Sequence, residues 1–439
     1  MAKKASRSAP TPAKPKVVLA YSGGLDTSII VRWLADRGFD VVCFCANVGQ
    51  EERYKDLEKK ALNSGGSKCI IRDLTEEFVE DFVWPAVAWN ARYEGRYLLG
   101  TSLARPVIAK HMVEIAKAEG AQYIAHGATG KGNDQIRFEL TAYALMPGVK
   151  IIAPWRDPEF NQVIKGRAEA IAYAKEHGIP ITASKKEPWS SDENLLHISY
   201  EAGELEDPNR KPRESMYKLT APVKKVRAAS ETVTIDFAAG IPVAINGKKR
   251  SPAALLTEAN RLGFKHGIGR IDIVESRFVG MKSRGVYETP GGSLLMAAHE
   301  DLETLCIGRD LLATKAQLAV RFSQLAYNGF WYCEEMEALQ AFLDSSQRQV
   351  SGRVTLELYR GNIIVVGRTS PNSLYDEDIA SMDDDHGAYD QSDATGFIRL
   401  QALPLRVAAQ RAGKQQRTPT KSAKKARVTK TTKKQSKKR

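Results

Sequence analysis

No stretch of this chain comes near the ~18 uninterrupted apolar residues that a membrane-crossing helix needs, so no span is expected. The N-terminus has no apolar core of a secretory signal, and the five cysteines (43, 45, 69, 306, 333) are too few for a disulfide scaffold. These absences point to a reduced, cytoplasmic protein. Cys43 and Cys45 lie one residue apart in an apolar run, which places both on one face of a strand and makes neither a zinc ligand nor a redox pair. The seven histidines have no metal-ligand spacing, no Ser/His/Asp arrangement stands out, and the aspartates at 383–385 read as a solvated loop. No metal held by the protein alone is expected.

Negative charge is missing from both ends. Residues 1–16 carry five Lys/Arg and residues 411–439 carry thirteen, with no acid in either segment. The net charge is +13, so the intervening chain stands at −5: a mildly acidic globule with two basic tails. The segment RTPTKSAKKARVTKTTKKQSKKR also lacks aromatics, so it cannot bury enough apolar surface to fold and has no platforms for stacking bases. Both tails, 1–16 and 411–439, are expected to be disordered, with at most loose, salt-sensitive attraction to polyanions.

What is present is a globular interior. The 439 residues, 43% of them hydrophobic, suggest two or three domains. From Val17, short apolar runs alternate with helical stripes: VVLA, DVVCFCAN, KCIIRDL, AQYIAHG and VKIIAP read as strands. Such alternation predicts an α/β fold with a doubly wound parallel sheet over 17–180. Residues 181–370 read as an α+β domain, with hairpins at TVTIDFAAGIPVAING and VTLELYRGNIIVVG, strand material at RIDIVESRFVGM and GGSLLMAAH, and helices at 251–262 and 300–327. Residues 371–410 read as a C-terminal arm with a short helix.

Two glycine loops carry the chemistry. AYSGGLDTS (20–28) follows a strand and opens a helix, where free N–H groups and the dipole attract anions. The lysine of a Walker loop is absent, which excludes the P-loop reading. Asp26 suits a helix cap or a Mg²⁺ partner better than a direct phosphate ligand. The second loop, HGATGKGNDQIRFEL from His126, offers amides, Thr129 and the cation Lys131 to a further anionic group. Arg137 could hold a carboxylate and Asp134 an ammonium.

The first loop resembles the PP-loop, S-G-G-x-D-[ST]-S, of the ATP pyrophosphatases. Together with YLLGTSLARP, the second loop, PWSSDENLLHISYEAG, GRIDIVESRFVGMKSRGVYETP and DATGF, it makes the chain resemble the argininosuccinate synthase family from Val17 to about Leu405. That resemblance implies a ligase joining citrulline to aspartate with ATP and Mg²⁺, through a citrullyl-adenylate, as a homotetramer built with the C-terminal arm. It implies ATP contacts at Ala20, Tyr21, Ser22, Gly23, Gly24, Leu25, Asp26, Thr27, Ser28, Ala46 and Gly127. Aspartate would be bound by Thr129, Asn133 and Asp134. Citrulline would be bound by Tyr97, Ser102, Asn133, Arg137, Ser190, Ser199, Glu275 and Tyr287. No side chain acts as nucleophile; Asp26, Lys131 and Asn133 would align the reactants. Read from the residues alone, Glu275 could equally form a structural pair with Arg277 on one strand face, and Tyr97 and Tyr287 could be core aromatics.

Overall fold

The computed structural model describes residues 14–50, 54–180, 188–226, 229–383 and 387–417. The disorder expected of the tails falls at 1–13 and 418–439 outside the described residues, and fails at their inner edges: Lys16 begins a strand, and residues 411–417 continue the helix Leu403–Arg417. The chain divides into two compact units, Met1–Leu374 and Tyr375–Arg439.

In the first unit, the leading apolar runs form a parallel sheet: β1 (Lys16–Ala20), β2 (Asp40–Asn47), β3 (Lys68–Asp73), β4 (Tyr123–Ala125) and β5 (Lys150–Ile152), ordered β3-β2-β1-β4-β5. The connecting helices include α1 (Leu25–Asp36), α2 (Tyr54–Asn63), α3 (Gly100–Glu119), α4 (Asp134–Leu145) and α5 (Arg167–Glu176). Alternate residues of each strand face opposite ways and are covered on both sides. Val17, Leu19, Cys43 and Cys45 pack with α1 and α5, whereas Val18, Val42 and Phe44 pack with α3. The sheet is therefore doubly wound, and Cys43 and Cys45 are buried packing residues within it. Chain direction across the sheet reverses between β1 and β4, the point where such folds open a crevice at the carboxyl ends of their strands.

The rest of the unit is α+β. Strands β6 (Ser190–Glu193), β7 (Ile198–Glu201), β11 (Arg270–Ser276) and β12 (Lys282–Glu288) form one antiparallel sheet, ordered β11-β12-β7-β6. Strands β8 (Glu231–Ala238), β9 (Ile241–Ile245), β10 (Lys248–Lys249), β13 (Gly352–Tyr359) and β14 (Asn362–Thr369) form the other, ordered β10-β9-β8-β13-β14. Helices α6 (Pro252–His266), α7 (Pro290–Cys306), α8 (Arg309–Asn328) and α9 (Glu334–Gln347) complete it.

One expectation fails here: GGSLLMAAH is helical, within α7. Pro290 occupies the first turn, where its missing N–H costs nothing, and Asn260 Oδ1 takes the Gly291 N–H at 2.9 Å. Leu294, Leu295, Ala298 and Leu302 are buried at helical spacing, a pattern the short run alone did not display.

The β6–β7 turn is seated on the parallel sheet. Leu195 N–H donates to the Val48 carbonyl at 2.8 Å, and Asn194 Nδ2 donates to the Gly100 carbonyl at 3.1 Å. A Cβ on Gly100 would lie 2.2 Å from the His197 ring, so glycine at the head of α3 lets the hairpin approach. This contact carries Asp192 over the open end of the parallel sheet.

Among its described residues the second unit contains a single helical turn (Glu377–Ala380) and two longer helices, α10 (Asp393–Gln401) and α11 (Leu403–Arg417), where one short helix was expected. Within it Phe397, Ile398, Leu400, Leu403 and Leu405 are exposed.

Candidate active site

The first glycine loop leaves β1 at Ala20 and turns into α1. Tyr21 packs into the core, its N–H bonded to the Phe44 carbonyl at 2.8 Å and its hydroxyl 3.2 Å from Ser28 Oγ. Gly23 is left-handed at φ +72°, and Gly24 extends into the helix start. Ser22 Oγ stands 3.2 Å from Thr27 Oγ1 and 3.4 Å from the Gly24 nitrogen. Asp26 makes no capping hydrogen bond, because Gly24 holds the cap position and Asp26 points outward from the first turn. The capping alternative for Asp26 thus fails. Surrounding protein raises its pKa against an opposing pull from Arg167, so its charge is incompletely compensated.

Above this loop lies a cavity of about 500 Å³ at the switch point. Of the residues expected at ATP, Ala20, Tyr21, Ser22, Gly24, Thr27, Ala46 and Gly127 line it; Gly23, Leu25, Asp26 and Ser28 do not. Tyr21 is almost fully buried where it lines the cavity, and Ser28 is wholly enclosed. The second loop leans on the first: a Cβ on Gly127 would lie 3.2 Å from Thr27 Cγ2. Phe44, Ile108 and Phe138 supply apolar wall, and Ser191, Asp192 and Glu193 close it from β6.

A charged chain leads on from the cavity. Arg105, on α3, donates from Nε to Asp134 Oδ2 at 3.0 Å and from Nη2 to Asp192 Oδ2 at 2.8 Å. Thr101, one turn earlier, bonds the same Asp192 oxygen at 3.1 Å and lies 3.0 Å from His197 Nε2. Burial brings the His197 pKa down to about 4, so that ring is neutral. Burial would also raise Asp134, but Arg105 and Arg137 outweigh it and hold the carboxyl below its ordinary value.

Arg137 is 4% exposed and already engaged, with Nη1 on Asp134 Oδ1 and Nε on the Tyr327 carbonyl, both at 2.9 Å. Only part of its guanidinium remains for a substrate carboxylate. Glu275 accepts from Tyr287 at 2.8 Å and from Tyr327 at 2.6 Å, while Arg277 pairs with Glu201. The Glu275–Arg277 alternative is therefore not what the chain builds. Burial raises Glu275 against those two tyrosine hydrogen bonds and the nearby arginines. Tyr97 stacks on Tyr287 at 4.3 Å, accepts the Thr101 N–H at 3.0 Å, and has its pKa pushed up to about 12 by burial.

The remaining expected residues surround this cluster. Asn133 Oδ1 accepts the Phe278 N–H at 3.0 Å and the Lys131 carbonyl accepts from Arg277 at 3.0 Å, which pins the second loop to the β11–β12 turn. Thr129 and Lys131 are exposed on that loop, their side chains outside the cavity wall. Ser190 and Ser199 sit on β6 and β7; Ser199 Oγ lies 3.4 Å from the Asp192 carbonyl. Ser102 is fully buried, and its hydroxyl has no partner among the described residues.

Sequence reasoning left out Thr101, Arg105, Asp192, His197 and Tyr327. Thr101 and Arg105 had a usable signal, since spacing of four puts them on one helical face beside Ser102. Tyr327, in the last turn of α8, had none.

Comparison with known proteins identifies the family. The model of the arginosuccinate synthase N-terminal HUP domain matches residues 16–180, and that of the arginosuccinate synthase C-terminal domain matches residues 189–408. An argininosuccinate synthase of Syntrophus aciditrophicus is 55% identical over 90% of this chain and 98% of its own length. Those of Thermotoga maritima and Danio rerio are 51% and 50% identical over 90% of this chain, covering 97% and 96% of their own lengths. Among solved structures, a 4-thiouridine synthetase bound to RNA and ATP aligns at TM-score 0.26 and 19% identity, over 38% of this chain and 41% of that one, too slight a likeness to carry an argument. With both domain models matched in order and half or more of the residues shared over nine-tenths of its length, this chain belongs to the argininosuccinate synthase family.

Proposed function

We propose that the protein joins L-citrulline to L-aspartate with ATP, releasing AMP and pyrophosphate and forming argininosuccinate. The observation that carries the reading is the continuity of the site. A lysine-free glycine loop, a second glycine loop and the Asp134–Arg105–Asp192 chain open on one cavity.

A urea-type carbonyl oxygen is a poor leaving group. In the proposed route the ureido oxygen of citrulline attacks the α-phosphorus, the α–β phosphoanhydride bond breaks, and pyrophosphate departs. The aspartate amine then attacks the ureido carbon of the citrullyl-adenylate, and AMP leaves with the oxygen. The chain's task is alignment and charge placement, which suits a site without a nucleophilic side chain. Amides and hydroxyls at Ser22, Gly24 and Thr27 face the phosphates. Thr129, Asn133 and Asp134 take aspartate; Tyr97, Ser102, Asn133, Arg137, Ser190, Ser199, Glu275 and Tyr287 take citrulline. Asn133 would keep the reactants in register, while Asp26 and Lys131, exposed and outside the cavity wall, would meet only what extends beyond that wall.

Asp26, exposed in the first turn after the loop, would be the carboxylate for a Mg²⁺ carried on the phosphates. The raised pKa of Asp26 fits a group whose charge a cation would compensate. Mg²⁺ would neutralise charge on the departing pyrophosphate.

The exposed apolar residues of α10 and α11 support a homotetramer assembled through this arm. No helix of the described residues is long and apolar enough to cross a membrane, which accords with a cytoplasmic location. The deciding experiment uses citrulline labelled with ¹⁸O in the ureido group. Label should pass into AMP; label in pyrophosphate, or none transferred, overturns the adenylate route.

A further inference from the structure

The glycine loop lacks a lysine in its sequence, yet a lysine is attached to it in space. Lys60 of α2 donates from Nζ to the Gly23 carbonyl oxygen. It is held there by its own helix. Leu57, one turn earlier on the same face, lies against Gly23 so closely that a Cβ there would stand 2.2 Å from Leu57 Cδ1. Ala61, beside Lys60, is wholly buried beneath the strands. Thus α2 grips the underside of the loop through Leu57 and Lys60.

Lys60 does not line the cavity, whereas Ser22 and Gly24 do. Its action on phosphate is therefore indirect. In a trans peptide the carbonyl and the following N–H point in opposite directions. A carbonyl of Gly23 anchored backwards on Lys60 thus turns the Gly24 N–H forwards. That N–H has only a long contact of 3.4 Å, to Ser22 Oγ, and stays available to a phosphate oxygen. Between two glycines no side chain opposes a flip of this peptide, so an external restraint is needed to keep one orientation.

We infer that Lys60 is a positioning residue for the nucleotide: it locks the Gly23–Gly24 peptide so that the Gly24 amide faces the β- and γ-phosphates and the outgoing pyrophosphate. A Walker lysine would reach the phosphate itself; here the cation stands behind the loop and works through the backbone. The inference rests on the proposed reaction for the identity of the leaving group, and on the fold alone for the lock.

The test compares wild type with Lys60→Met, Lys60→Gln and Lys60→Arg in the full chain. The KM for ATP and the inhibition constant for added pyrophosphate should rise together in Lys60→Met by roughly ten- to a hundredfold, the range implied by a lost charge-assisted hydrogen bond. The KM values for citrulline and aspartate should change little, and Lys60→Arg should restore most of the ATP affinity. A merely structural lysine would instead lower the melting temperature and weaken all three substrates in parallel, or leave the ATP and pyrophosphate constants at wild-type values; either result overturns the inference. Should Lys60→Met not fold, Lys60→Gln is read by the same criteria, since a neutral donor should give an intermediate loss. Calorimetric binding of ATP to the same proteins separates the two readings. A wild type that binds ATP but releases no pyrophosphate with citrulline and aspartate sinks the proposed reaction, whereas equal ATP affinity in wild type and Lys60→Met sinks the lock.

Discussion

Replacing Arg105 by methionine would remove the guanidinium that bridges Asp134 and Asp192 while roughly keeping its bulk. Breaking a buried, hydrogen-bonded ion cluster by deleting one partner costs about 3–5 kcal/mol. Two features lower that figure here: Asp134 keeps Arg137 at 2.9 Å, and the Asp192 side chain is 37% exposed. We therefore expect a loss of about 2–3 kcal/mol in stability, after allowing for solvent screening. Denaturant unfolding followed by tryptophan fluorescence measures it. Steady-state kinetics of the same variant should show a raised KM for aspartate, because Asp134 stands at the start of α4 with one of its two guanidinium partners gone. Removal of that cation should also raise the Asp134 pKa, so the acidic limb of the activity profile should move to higher pH. Arg105→Lys should recover part of the stability, since one ammonium cannot reproduce the fork that spans two carboxylates. A variant within about 0.5 kcal/mol of wild type, with unchanged aspartate KM and pH profile, would refute the claim that Arg105 ties the two carboxylates together; surface changes are commonly that small.

The two loop glycines should separate folding from function. Gly23→Ala places a Cβ 2.2 Å from Leu57 Cδ1 in a left-handed backbone, and should lower the melting temperature. Gly24→Ala meets only Ser22 Oγ at 3.4 Å, so it should fold normally yet lose turnover; normal activity in that variant counts against the loop assignment. His197 and His299 are both brought to about 4 by burial, so between about pH 6.5 and 4 the unfolded chain binds protons that the folded chain does not. Stability should therefore fall as pH drops through that window, by up to about 3 kcal/mol per histidine at pH 4. His197→Asn, measured by denaturant midpoints at pH 7 and 5, should flatten the dependence, and an unaltered slope would contradict it. Deleting residues 418–439 should abolish salt-sensitive retention on a polyanion column and leave pyrophosphate release intact; retention persisting without them would show that the tail is not its source.

The glycine loops could be read from sequence because they act through backbone at fixed spacing, so few residue types can stand there. The parallel sheet could be read because its strands are short apolar runs bounded by turns, as at Val17–Ala20 and Asp40–Asn47. The helix at Pro290–Cys306 was missed for a related reason. A brief apolar run after two glycines fits a buried strand equally well, and the deciding proline signal lies one residue earlier. The linkage of Arg105 to Asp192 spans 87 residues of chain, and that of Arg137 to the Tyr327 carbonyl spans 190. No local pattern encodes such pairings. Lys60 was invisible on the same ground: its partner is a carbonyl, which any residue could have supplied.

The β6 strand has a consequence for how this chain could be divided. Ser191, Asp192 and Glu193 form one wall of a cavity whose floor is the loop after β1, although the two stretches fall under separate family models. A fragment ending near residue 180 would carry every glycine of both loops and still present the nucleotide with a cup lacking one side. Such a fragment is not a portable ATP-binding module, and grafting it elsewhere would transfer a sheet without its chemistry. The strand that completes the cup also carries Ser190 and pairs with the strand of Ser199, so under the proposed assignment a change that loosens the citrulline side would be felt at the triphosphate. Inheritance of the two halves is therefore expected to be joint, with neither useful as a spare part.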